Sequence, residues 1–166
     1  YIAKNGKGTG EGFYVQNQSS QERIIKNCII FNNYYKGIEV WSANKKADFE
    51  YVKNVTLENN VVFNSGSTIN KAYDNLIVAS NDGNGINIAQ NITVANNIFY
   101  HNTDFIKYQI NGDAPSLTLG LRPSAPITDV VVKDNIIIGR NNGLRILYAD
   151  KLVFQNNTVY SGYVMQ

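Results

Sequence analysis

The chain has 166 residues, of which 43% are hydrophobic and 17% charged, with a formal net charge of +2. This composition supports one core-forming domain and leaves no electrostatic footprint for nucleic acid or an anionic membrane. No run approaches the ~18 apolar residues that a membrane helix needs, and a single cysteine, Cys28, excludes an internal disulfide or a cysteine-based metal cluster.

Taken in chain order, the first strand signal is Gly12-Phe13-Tyr14-Val15-Gln16. After it comes a phrase that recurs five times, at residues 23–31, 55–63, 92–100, 130–138 and 152–160: an apolar strand, a paired turn dominated by Asn, and a second apolar strand. Between the copies lie further strand signals, Gly37-Ile38-Glu39-Val40-Trp41, Asn75-Leu76-Ile77-Val78-Ala79, Tyr108-Gln109-Ile110 and Gly143-Leu144-Arg145-Ile146-Leu147. Val, Ile, Phe and Tyr dominate them, and no helical period competes.

Self-similarity of this kind indicates a solenoid. The first residues of the paired turns, Asn27, Asn59, Asn96, Asp134 and Asn156, stand 32, 37, 38 and 22 residues apart. The shortest gap is the bare coil, too short for a strand-helix-strand crossover of ~30 residues but suited to three short strands. Coils stacked at roughly 4.8 Å make three parallel sheets around a narrow core. The expected fold is therefore all-β, a parallel β-helix of about five to six coils in a single domain over residues 1–166.

The chain's 25 asparagines follow from that arrangement. A tight turn needs a residue that tolerates the left-handed region, which Asn does. An inward Asn side chain also bonds to its copies above and below, satisfying groups otherwise buried unpaired. Asn60, Asn97, Asn135 and Asn157 are the expected ladder, with Cys28 in the equivalent place of the first coil as a buried, inert thiol. Neither end reads as the atypical capping unit a solenoid carries, so the expectation is a segment of a longer protein.

The Val/Ile-x-Val/Ile-x-Asn-Asn-x-Val/Ile phrase, over about residues 10–163, resembles the right-handed parallel β-helix repeat proteins of the pectate-lyase-like superfamily. The phrase is specific for the fold and weak for function, because the scaffold hosts unrelated activities. In the family's scheme the Asn-Asn pair lies between second and third strands, which makes segments such as residues 37–41 first strands.

Alternation along first strands points Ile38 and Val40 inward and Glu39 and Trp41 outward. Applied throughout, it gives an outward stripe of Tyr14, Gln16, Glu39, Trp41, Ile77, Gln109, Arg145 and Leu147, with Lys107 beside it. The resemblance implies polysaccharide binding along this stripe, in a groove walled by loops at residues 42–53, 80–90 and 111–128, which carry Lys45, Lys46, Asp48, Asp82, Asp113 and Arg122. Tyr14, Trp41, Gln109 and Arg122 are the candidate substrate-binding residues, aromatic faces suiting sugar rings and polar groups suiting hydroxyls or uronate carboxylates. The plain alternative is a solvated face with ordinary charges.

Uronate lyases of the superfamily use Lys or Arg as proton abstractor, with Ca²⁺ or another cation neutralising the substrate acid. By that resemblance Lys107 and Arg145 are the candidate bases and Glu39 the third catalytic candidate. No adjacent first-strand carboxylates form a calcium cage, so Ca²⁺ rests on resemblance alone and no metal residues are assigned. Polygalacturonase-like hydrolases carry Asn-Thr-Asp, Asp-Asp and Gly-His-Gly. Asn102-Thr103-Asp104 matches the first, but it follows a third strand and the other two are missing.

His101, the sole histidine, has no partners for a metal site or a triad and is expected at the surface, in the column of Asn32 and Asn64. Four Asn-x-Ser/Thr matches carry no weight in so Asn-rich a chain. If Ile30, Val62, Phe99, Ile137 and Val159 face inward, then Phe31, Phe63, Tyr100, Ile138 and Tyr160 form an outward column, either a structural stack or a contact with another domain or chain. Two readings of function follow. One is a secreted or cell-surface carbohydrate-recognising β-helix, part of a polysaccharide lyase or glycoside hydrolase; the other is a non-catalytic structural or adhesive solenoid segment.

Overall fold

The computed structural model describes residues 10–42, 52–85, 87–102, 114–140 and 142–161. Fifteen strands run in the order β1 Phe13–Val15, β2 Arg23–Lys26, β3 Ile29–Phe31, β4 Ile38–Ser42, β5 Val52–Glu58, β6 Val61–Phe63, β7 Leu76–Ser80, β8 Ala89–Ala95, β9 Ile98–Tyr100, β10 Leu117–Leu119, β11 Ile127–Lys133, β12 Ile136–Ile138, β13 Leu144–Ile146, β14 Ala149–Gln155 and β15 Thr158–Tyr160. Every third strand pairs with the next, giving three five-stranded sheets: β1-β4-β7-β10-β13, β2-β5-β8-β11-β14 and β3-β6-β9-β12-β15. All the pairings between these strands are parallel. The described residues thus form a parallel β-helix with three strands per coil and five coils.

One expected strand is displaced. The place between β7 and β13 belongs to Leu117–Leu119 (β10), in register with Leu76–Val78 and Leu144–Ile146, and not to Tyr108-Gln109-Ile110. Thr118 therefore occupies the outward position expected for Gln109. Lys107 and Gln109 lie outside the described residues.

The core is a file of aliphatic side chains, with Ile38, Leu57, Leu76, Ile92, Leu117, Ile127 and Ile137 fully buried around Phe99. Asn60 accepts at Oδ1 from Cys28 N–H at 3.1 Å, and Asn97, Asn135 and Asn157 do the same for the N–H of Asn60, Asn97 and Asn135 at 2.9, 2.8 and 3.0 Å. The ladder is thus formed in the expected column. Cys28 heads it, but is only part-buried, with its thiol donating to Lys26 O.

Left-handed backbone accounts for nine further asparagines among the described residues. Asn27, Asn59, Asn96, Asp134 and Asn156 all have φ between 53° and 57° at the paired turn. A second column, Asn54, Asn91, Asp129 and Lys151, has φ of 57°, 53°, 52° and 48° inside the long second strands. Each leaves one rung of the ladder unpaired, while the register on either side of it stays the same. Asn91 donates to Asn54 Oδ1 at 2.7 Å, and Lys151 pairs with Asp129 at 3.5 Å.

The inward residues of the last coil are less covered than their predecessors. Val159 is 41% exposed where Ile137 is at 0%, and Leu152 and Phe154 are half-buried where Val130 and Val132 are at 0%.

Candidate functional site

Register lines up Tyr14, Glu39, Ile77, Thr118 and Arg145 on the outer face of the β1-β4-β7-β10-β13 sheet. The stripe is not uniformly wet. Tyr14 and Arg145 at its two ends are exposed, whereas Glu39, Ile77 and Thr118 between them are buried. Both faces of the middle strands are thus withdrawn from solvent, unlike an ordinary polar outer surface.

Charge enters this face from the turns that precede the strands. Gly37 N–H donates to Asp74 O and Gly12 N–H to Lys36 O, so Lys36 and Asp74 hold matching places in successive coils. A Cβ on Gly37 would stand 2.5 Å from Asn75 O, so only glycine lets the coils approach here. Lys36 and Asp74 are themselves buried, at 7% and 6% exposure.

Lys36 Nζ donates to Glu39 Oε1 and sits over the rings of Tyr35 and Trp41, 4.8 and 4.7 Å from their centroids. The ammonium therefore satisfies a buried carboxylate and two aromatic faces together. Asp74 accepts from Thr118 Oγ1 and lies 3.9 Å from the Arg145 guanidinium. Two buried carboxylates, each with its cation, thus underlie the face.

Burial raises the pKa of Glu39 above the usual carboxylate range, with Lys36 opposing the rise and Glu11 adding to it. Burial also raises Asp74, against the Thr118 hydrogen bond and the charges of Arg145 and Lys36. Tyr14 is raised by burial and by the charges of Glu39 and Glu11.

Of the residues singled out in the sequence, Tyr14, Glu39, Trp41 and Arg145 share this face. Gln16 joins them, donating to Tyr14 Oη at 3.4 Å and Trp41 O at 3.3 Å. Arg122 lies further along, its Nε donating to Asn81 Oδ1 at 2.5 Å, one residue past the end of β7. Asp82 is buried and closes its own loop, accepting from Asn84 N–H at 2.8 Å and Asn87 N–H at 2.7 Å. Lys36 and Asp74 escaped the sequence reading because they precede the strands.

His101 is corrected as well. It is 1% exposed rather than at the surface, and burial lowers its pKa to about 4, with Arg140 adding to the shift and a Tyr73 backbone hydrogen bond opposing it.

No group of three or more His, Cys, Asp or Glu able to hold a metal ion occurs among the described residues. Glu39 and Asp74 are each engaged by cations, so these residues do not fit a calcium cage. Among the described residues no helix is long and apolar enough to cross a membrane. In comparisons with known proteins, no family model, no curated protein and no solved structure matches the chain.

Proposed function

We propose that the chain is a carbohydrate-recognising β-helix of the pectate-lyase-like kind, acting outside the cell or at its surface, with an acidic polysaccharide as its partner. The observation that carries this reading is the first-sheet face, where exposed Tyr14, half-exposed Trp41 and exposed Arg145 stand over a buried layer of paired charges. Such a layer fixes the side chains above it. Arg145 is close enough to Asp74 to be oriented, yet its side chain stays 44% exposed and open to a uronate carboxylate. Trp41 has one face against the Lys36 ammonium, and Tyr14 offers an exposed ring.

Binding is better supported than hydrolysis. Glycoside hydrolysis needs two carboxyl groups converging on one bond, and Glu39 and Asp74 are both buried and both paired. A lyase reaction in which Arg145 or Lys107 abstracts the proton keeps its place in the proposal through Arg145. The competing reading, a non-catalytic structural or adhesive solenoid, draws on the same burial of Glu39 and Ile77, which keeps much of the stripe from any ligand.

The test is a panel of uronic-acid and neutral polysaccharides, read for binding by calorimetry and for cleavage by absorbance at 235 nm and reducing ends. Affinity for acidic glycans that falls about tenfold or more in Arg145→Ala, with the fold retained, supports the proposal. Silence across the panel leaves the solenoid reading. Eliminative cleavage abolished in Arg145→Ala or Lys107→Ala makes the protein a lyase.

A further inference from the structure

Phe13 pairs with Ile38 and Ile38 with Leu76, so the residues two places earlier, Glu11, Lys36 and Asp74, hold one column in successive coils. Their signs alternate: acid, base, acid. Tyr14 pairs with Glu39 in the same register, and Glu11 reaches across from its turn to Glu39. A hydrogen bond joins these two carboxyl groups.

Such a bond needs a proton, because an ionised carboxylate has none to donate. Two facing carboxylates also repel when both ionise, so a pair of this kind keeps one proton beyond the usual carboxyl range. Glu39 is 4% exposed, which leaves little water to screen the repulsion. Among the described residues the charges facing the pair are few. Lys36 donates to Glu39, and Asp74 beyond it draws on the same ammonium and on Arg145. Three carboxyl groups thus meet two cations. The network is neutral only while it holds one proton, and the Glu11–Glu39 bond is the contact that requires it. Above them Tyr14 feels both acids, whose charges add to burial in raising its phenol.

We propose that the Glu11–Glu39 pair is a proton gate for the first-sheet face. Holding one proton, the pair carries a single charge that Lys36 balances. Releasing it sets an uncompensated negative charge beneath Tyr14, which turns acidic glycans away. The effect on glycans rests on the function proposed above; the shared proton does not. A ligand that avoids the deprotonated pair binds best at lower pH, and its binding in turn holds the proton in place. Affinity for an acidic glycan is therefore full below the Glu39 midpoint and falls as pH rises through it. One added charge within ~8 Å of the ligand, partly screened, lowers affinity about fivefold.

Carboxyl-carbon NMR of the glutamate-labelled protein, without glycan, reads the pair first. Glu39 should titrate above the ordinary ~4.3, and Glu11→Gln should lower its midpoint by about one pH unit. A Glu39 midpoint in the ordinary range, or one unmoved in Glu11→Gln, overturns the inference. Calorimetry with polygalacturonate across the measured midpoint then reads the gate. Affinity should fall about fivefold with rising pH in the wild type and in Glu58→Gln, a second-sheet control, and stay level in Glu11→Gln. Level affinity in the wild type overturns the gate even where the proton is seen. Polygalacturonate that binds at no pH strikes down the proposed function and the gate together, while the Glu39 midpoint still decides whether the proton is shared.

Discussion

Asn97 Oδ1 accepts two hydrogen bonds from Asn60, one from its main-chain N–H at 2.9 Å and one from Nδ2 at 3.0 Å. Asn97 Nδ2 in turn donates to Leu57 O and Ala95 O, each at 2.9 Å. One side chain thus satisfies donors and acceptors that would otherwise be buried without partners. Asn97→Ala should destabilise the protein by about 3 kcal/mol, since each orphaned buried group costs roughly 1–3 kcal/mol. Asn157→Ala, in the half-exposed last rung, should cost less. Urea unfolding of both variants measures the difference.

Lys36 and Glu39 are a buried ion pair, so removing one member strands the other. Lys36→Met should cost about 3 kcal/mol and should raise Glu39 further into its neutral form. Lys36→Met combined with Glu39→Gln should recover most of that loss, because no buried charge is left alone. A double-mutant cycle by thermal or denaturant unfolding gives the coupling.

The histidine sets an acid limit. Its folded pKa of about 4 lies below the unfolded ~6.5, so the unfolded chain binds the extra proton between those values. Its contribution is complete above pH ~6.5 and is lost as pH falls toward 4, on the order of 3 kcal/mol in all. Glu39 and Asp74 work in the opposite sense, since raised carboxyl pKa values favour the fold as pH falls. His101→Asn should therefore close its stability gap with the wild type as the pH is lowered through this window, and an NMR titration of His101 should give a midpoint near 4.

Lys151 holds φ 48° in a column whose other members are Asn54, Asn91 and Asp129. A long side chain has no local hydrogen bond to offset left-handed backbone, which costs roughly 1–2 kcal/mol. Lys151→Asn should stabilise the protein by up to about 1 kcal/mol, the exposed pair with Asp129 being worth little. A rise in melting temperature would show it.

The coil, the strand triplets and the ladder were legible because they rest on one-dimensional features: alternation, spacing and a repeated Asn pair. The fourth first strand was not. Tyr108-Gln109-Ile110 and Leu117-Thr118-Leu119 alternate equally well, and only pairing with Leu76–Val78 and Leu144–Ile146 chooses the second. On the candidate face, parity found Tyr14, Glu39, Trp41 and Arg145 but could not show that Glu39 is buried. That depends on Lys36 folding over it from a turn, where alternation has no authority. The one usable signal was two oppositely charged residues, Lys36 and Asp74, each two places before an apolar strand. His101 misled because a polar residue at a strand end reads as surface, while the fold buries it beside Tyr73 and Arg140.

The ladder also has a sense of direction. From Cys28 onward each rung's N–H is received by the following coil's asparagine, never by the preceding one. A damaged rung should therefore loosen the turn upstream of it, where donors lose their acceptor. Each module, as short as the 22 residues from Asp134 to Asn156, brings its own connector to what came before. Growth of such a rod by tandem duplication needs no new joint, which explains how one phrase came to be written five times.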